Sequence, residues 1–266
     1  MSLSIDLRGK KAVVTGVTSG IGASIAHVLA RAGCDVAGCG RRSVDSRGAE
    51  MFEKSVRDSG RRAFYRPVDL SDTASPAQWI TEAATTLGGI DILISNAGRN
   101  IFKGATATSE ADWEECMNLD LAAHWRLAKA ARPFLEKASP GVIIVVSSNH
   151  AYRTIPGCFP YNVAKAGMLA LVQSLAIEWG PTIRTVGIAP GFIETPANDA
   201  WFEAFDNPSA ERKRTIRLHP VGQLGTCEQI GAWIAFLASD FAAFTTGTTH
   251  VIDGGRLAIL QDVGTE

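Results

Sequence analysis

The sequence predicts a single-domain α/β fold: a doubly wound parallel sheet of about seven strands with helices on both faces. Three observations carry this. Short apolar runs alternate along the chain with longer segments of helical period. Some of the short runs are apolar at consecutive positions, as in Val142-Ile143-Ile144-Val145-Val146, the pattern of a strand covered on both faces. The first run leads straight into a glycine-rich turn that opens an amphipathic segment.

In chain order, strands are expected at Lys11–Thr15 and at residues 35–39, 63–68, 90–95, 142–147, 184–189 and 248–252. After the first, Ile21, Ile25, Val28, Leu29 and Ala32 keep one apolar stripe at helical spacing. Gly33 follows as a helix stop. Strand and helix go on alternating, which requires βαβ units. The one irregular stretch is residues 192–225, with Pro196, Pro208, Pro220 and the charge run Glu211-Arg212-Lys213-Arg214. A connection of that length is a functional lid or is disordered. No repeat, low-complexity tract or linker divides the chain, so residues 1–266 read as one domain.

Composition narrows the function classes. The 266 residues carry a net charge of −1, so no bulk field favours nucleic acid or an anionic membrane. No apolar run approaches the ~20 residues that span a bilayer. Behind Met1, the charges at Arg8, Lys10 and Lys11 leave no apolar leader segment. The five cysteines form no C-x-x-C pair and suit neither a zinc site nor a disulfide framework. Reduced structural thiols in a cytoplasmic protein, with no metal, are expected.

Thr15-Gly16-Val17-Thr18-Ser19-Gly20-Ile21-Gly22 lies where the first strand becomes a helix. Glycines there allow a tight turn and close approach of backbone to a pyrophosphate, while the helix start offers free N–H groups and a positive dipole end. The corner after the second strand reads Gly40-Arg41-Arg42, with no acid to hold a ribose 2′-hydroxyl; Asp45 comes later. Arg41 therefore leans towards NADP, whose 2′-phosphate it would accept, or it belongs to a solvated basic loop.

Tyr161 and Lys165 stand four residues apart at the start of an expected helix, so phenol and ammonium share a face. An adjacent ammonium favours the phenolate and should lower the tyrosine pKa towards its working range. Ser147 and Ser148 end the strand just before it. Catalytic groups collect at the carboxyl ends of parallel strands.

With these motifs in order, the chain resembles the short-chain dehydrogenase/reductase family over essentially its whole length. Thr15 to Gly22 corresponds to the family's glycine motif, Asn96-Ala97-Gly98 to its NAG motif and Asn118, in Met-Asn-Leu-Asp, to its active-site asparagine. Ser148, Tyr161 and Lys165 correspond to its catalytic serine, tyrosine and lysine. Pro190-Gly191 and Asp253-Gly254-Gly255 correspond to its later turns. The resemblance implies a Rossmann-like fold, an NAD(P) cofactor and a secondary alcohol or ketone substrate. It implies that Ser148 hydrogen-bonds the substrate oxygen, Tyr161 exchanges a proton with it, and Lys165 tunes Tyr161 and binds the nicotinamide ribose. Asn118 would hold a water in the proton relay. Gly16, Ser19, Gly20, Ile21, Gly22, Asn96 and Gly98 would line the cofactor. Asp69 would accept from the adenine amino group with Leu70 beside the ring, and Ile193 and Thr195 would contact the carboxamide and phosphates.

Substrate contacts are expected from residues 149–159 and from the lid. Arg153 could clamp a carboxylate, or lie on the surface; His150 reads as structural, since the tyrosine already supplies the acid. Segments such as Ala32-Gly33-Cys34-Asp35 and the ending Gly254-Gly255-Arg256-Leu257-Ala258 resemble the 2-keto-3-deoxy-gluconate and gluconate dehydrogenases. That branch implies a sugar acid or polyol, and often NAD, against the reading of Arg41. The alternative substrate is a 3-oxoacyl thioester, for which Trp201, Phe202 and Phe205 would line an apolar channel or else simply pack. An alternative of another class is a catalytically silent NAD(P)-binding regulator; intact Asn118, Ser148, Tyr161 and Lys165 argue against it. The resemblance also implies a homotetramer built on two long helices at residues 111–137 and 159–179. The tail at residues 256–266 would reach a neighbouring subunit or be disordered.

Overall fold

The structure is a computed structural model and describes residues 4–138 and 140–259. Its elements are β1 (Lys11–Thr15), α1 (Gly20–Arg31), β2 (Asp35–Gly40), α2 (Arg47–Asp58), β3 (Ala63–Pro67), α3 (Ser75–Leu87), β4 (Ile92–Ser95), α4 (Glu110–Met117), α5 (Ala123–Leu135), β5 (Gly141–Val146), α6 (Tyr161–Trp179), β6 (Ile183–Pro190), β7 (Ile193–Glu194), α7 (Pro196–Glu203), α8 (Pro208–Arg217), β8 (Gly225–Thr226), α9 (Cys227–Ala238) and β9 (Thr249–Ile252).

Seven strands form one parallel sheet in the order β3-β2-β1-β4-β5-β6-β9. Apolar alternation within each strand feeds both faces. Val13 pairs with Ala37 and with Leu93, and all three lie in the core on one side of the sheet with α3, α5 and α6. Val14, Val36 and Ile94 point the other way, into a second core with α1, α2 and α9. β5 is buried at every position, as its unbroken apolar run requires. The chain runs outward from β1 to β3, then returns to continue from β4. The reversal leaves a crevice above the carboxyl ends of β1 and β4, where ligands bind in such sheets.

Three expectations need correction. A continuous helix over residues 111–137 does not form. α4 starts from a capping box of Ser109 and Asp112, and a π-helical turn, Asn118–Ala122, separates it from α5. The wider turn shifts helical phase, which a 3.6-residue periodicity does not register. The second expected helix starts at Tyr161 rather than residue 159, because Pro160 is its N-cap. The stretch 192–225 is neither structureless nor loose. Thr195 and Asn207 cap α7 and α8, each with proline in the first turn, and β7 pairs with β8. Arg212 ties the stretch together through Glu194 and Asp199, its guanidinium over the Phe202 ring. The expected tail lies mostly outside the described residues. Among those described, no helix is long and apolar enough to cross a membrane.

Candidate active site

The crevice gathers its residues from strand ends. At the β1–α1 turn, a Cβ on Gly22 would lie 2.2 Å from the Gly16 carbonyl oxygen and 2.6 Å from Asn96 Nδ2, so only glycine fits. Asn96 donates from Nδ2 to the Thr15 carbonyl (2.8 Å), and Thr15 Oγ1 accepts from the Asn96 and Ala97 amides. Asn96 thus fixes the glycine turn to the end of β4. Ser19 is the N-cap of α1 but makes no side-chain capping bond, and no acid stands in the first turn. Gly20, Ile21 and Gly22 then present amides without a capping side chain. This is what a bound phosphate needs, and an NAD(P) pyrophosphate fits these residues. Thr195 reaches the same loop: its Cγ2 lies 3.4 Å from where a Gly20 Cβ would be. Its hydroxyl caps α7, and Ile193 is buried beside it.

Arg41 is exposed just past the end of β2. Asp69 accepts from both the amide and hydroxyl of Ser71, which holds its carboxyl below the usual range, with Arg41 adding to the drop. Leu70 is buried.

Ser147, Ser148, Tyr161 and Lys165 come together beyond β5. Ser147 donates to the Lys165 carbonyl oxygen, tying the strand end to α6. Ser148 is buried and accepts from the His150 amide (3.2 Å). Tyr161 is 8% exposed and Lys165 3% exposed, with the Lys165 Nζ 5.4 Å from the Tyr161 ring centre. Burial pushes the Tyr161 phenol above its usual pKa; Lys165 and a Ser148 hydrogen bond pull it back, and Asp120 adds to the rise. The expected lowering by Lys165 is therefore present but outweighed by burial.

Asn118 is not brought to this site. Its Nδ2 donates to the Ser71 carbonyl (2.7 Å) and its Oδ1 accepts from Arg126 (2.5 Å), so it braces the π turn from outside. The residue beside Lys165 is Asp120, fully buried, with Oδ1 at 3.6 Å from Nζ. Asp120 has no helical-phase relation to the expected position, because the π turn intervenes; the only signal was an acid two residues on in the same short run.

Phe102 was also missed, as a lone aromatic in a loop gives no signal. Its ring meets Tyr161 edge-on at 5.1 Å between centres, and His150 lies 6.1 Å from Tyr161 and 6.0 Å from Phe102. His150 thus walls one side of Tyr161. Burial, helped by Arg256, pushes its pKa down, which favours the neutral imidazole. Arg153 is not turned to Ser148 as a clamp: it is exposed and donates to the Leu257 carbonyl (2.6 Å). In the lid, Phe202 packs as core with Phe192, while Trp201 and Phe205 remain partly exposed.

Comparison with known proteins bears on the family and the fold. A family model described as enoyl-(acyl carrier protein) reductase matches residues 16–256. The 3beta-hydroxysteroid dehydrogenase 1 of Eggerthella lenta is 35% identical over 94% of both chains. The cis-4-hydroxycyclohexanecarboxylate dehydrogenase of Sinomonas cyclohexanicum is 33% identical over 93% of this chain and 96% of its own. A doubly substituted short-chain dehydrogenase/reductase of Serratia marcescens superposes with a TM-score of 0.86 at 28% identity, over 94% of this chain and 98% of the other.

Proposed function

The chain belongs to the short-chain dehydrogenase/reductase family of oxidoreductases, and on that premise we propose that it exchanges a hydride between NAD(P) and a secondary alcohol or ketone, with Tyr161 as the proton-transfer group. The observation that carries this is the meeting of Ser148, Tyr161 and Lys165 above the strand ends, beside the uncapped start of α1. In alcohol oxidation, Ser148 holds the substrate oxygen and the Tyr161 phenolate takes its proton; in reduction the phenol returns it. Lys165 favours the phenolate. When bound, the dinucleotide would supply the hydride exchange.

The substrate we propose is a ring-bearing secondary alcohol rather than a polyhydroxylated sugar acid. Phe102, His150 and Tyr161 make an aromatic wall that would leave several sugar hydroxyls without partners. Arg153, the carboxylate anchor on which the sugar-acid reading leaned, is engaged with Leu257. Two relatives bear names of cyclic alcohol dehydrogenases, which supports the same direction. NADP is the proposed dinucleotide, through Arg41. The proposal carries a cytoplasmic setting, in keeping with five free cysteines. Initial rates with NADP and NAD against cyclic alcohols, sugar acids and 3-oxoacyl thioesters test it. Turnover confined to sugar acids or thioesters would overturn the substrate assignment.

A further inference from the structure

Asp120 sits where the mechanism above uses nothing. The π turn carries it inward from the α4–α5 junction to a fully buried place. Its Oδ1 accepts from the Arg99 amide (3.0 Å) and lies 3.6 Å from Lys165 Nζ, and Cys116 donates to Oδ2 (3.9 Å). A Cβ on Gly98 would lie 2.4 Å from Asp120 Oδ1 and 3.3 Å from Lys165 Nζ, so this glycine leaves room for both groups in one nook. Burial pushes the Asp120 carboxyl up, with Lys165 and the Arg99 amide pulling it back, and His124 on α5 is a buried imidazole near Lys165. Lys165 faces it from α6. The Arg99 guanidinium is paired with Glu115, and burial pushes the Cys116 thiol up to about 12, so it stays neutral. Tyr161 lies beyond Lys165 and feels the carboxylate as a rise in its own pKa.

We infer that Asp120 is a positioning residue: held against Lys165 in the nook left by Gly98, it sets the pH at which Tyr161 gives up its proton. This rests on the reading of Tyr161 given above. A negative charge behind Lys165 opposes loss of the phenol proton, and removing that charge favours it.

The test is the pH dependence of alcohol oxidation in the wild type, Asp120→Asn and Tyr161→Phe. In Asp120→Asn, the limb along which turnover rises with pH should move about one unit towards acid, as expected when one close charge is removed. A merely structural role would lower the plateau and leave the limb in place, and that result overturns the inference. Should Asp120→Asn not fold, the wild-type Asp120 carboxyl carbon resonance carries the test. It must show a second inflection at the pH where turnover rises; a resonance blind to that step overturns the inference equally. Full turnover in Tyr161→Phe would instead sink the functional reading. An unmoved limb with Tyr161→Phe inactive sinks this inference alone.

Discussion

At the scale of single residues, Tyr161 is governed by what touches it. Burial raises its pKa, Lys165 and Ser148 lower it, and Phe102 and His150 fix the ring edge-on between them. Tyr161→Phe keeps the ring and removes the proton, so turnover should fall about a hundredfold or more while thermal unfolding is unchanged. Arg41→Ala should raise the KM for NADP about tenfold and leave that for NAD alone, the size of one lost charge-assisted hydrogen bond. His124 offers a pH test of stability. It is buried, bonded through Nδ1 to Ser95 Oγ (2.7 Å), and burial holds its pKa well below 6.5. The unfolded chain binds the proton more readily, so stability from this group is full above about pH 6.5 and is lost as pH falls below it. Melting temperature against pH should therefore drop less steeply on the acid side in a folded His124→Gln variant. Serine, tyrosine and lysine were legible in the sequence because strand end and helix spacing bring them together. Asp120 was not, since its place depends on a local change of helical pitch.

At the scale of elements, the β1–α1 turn and the α4–α5 junction do most to build the site. Gly22→Ala would push a methyl onto the Gly16 carbonyl oxygen. It should cost about 1–3 kcal/mol by overpacking and abolish dinucleotide binding, read by thermal unfolding and by NADPH fluorescence titration. The strands were legible almost to their ends: β1 falls at Lys11–Thr15 as expected, and β5 begins one residue early, at Gly141. Uninterrupted apolar runs bounded by glycine and charge mark buried strands clearly. The lid was legible as a long connection but not as two helices. α8 has charge on most of its face, so its order comes from its Asn207 cap and the Arg212 pairs rather than an apolar stripe.

At the scale of the whole molecule, the sheet order places the crevice, and the outer face of α6 is exposed. Val163, Ala166, Ala170 and Ile177 are exposed along α6, with Ile177 at 82%, and Trp125 is exposed on α5. Gln173, Ser174 and Glu178 are exposed on the same stretch, so the face mixes small, apolar and polar side chains. We propose that the homotetramer implied by the family resemblance would use this face, so that Ile177→Glu should lower the mass read by light scattering while each subunit stays folded. A wild-type monomer at micromolar concentration would contradict the assembly. The central claim, hydride exchange driven through Tyr161, is tested most directly by NADPH formation from a cyclic secondary alcohol in the wild type and in Tyr161→Phe. The account predicts turnover in the first and almost none in the second; equal rates in both would contradict it.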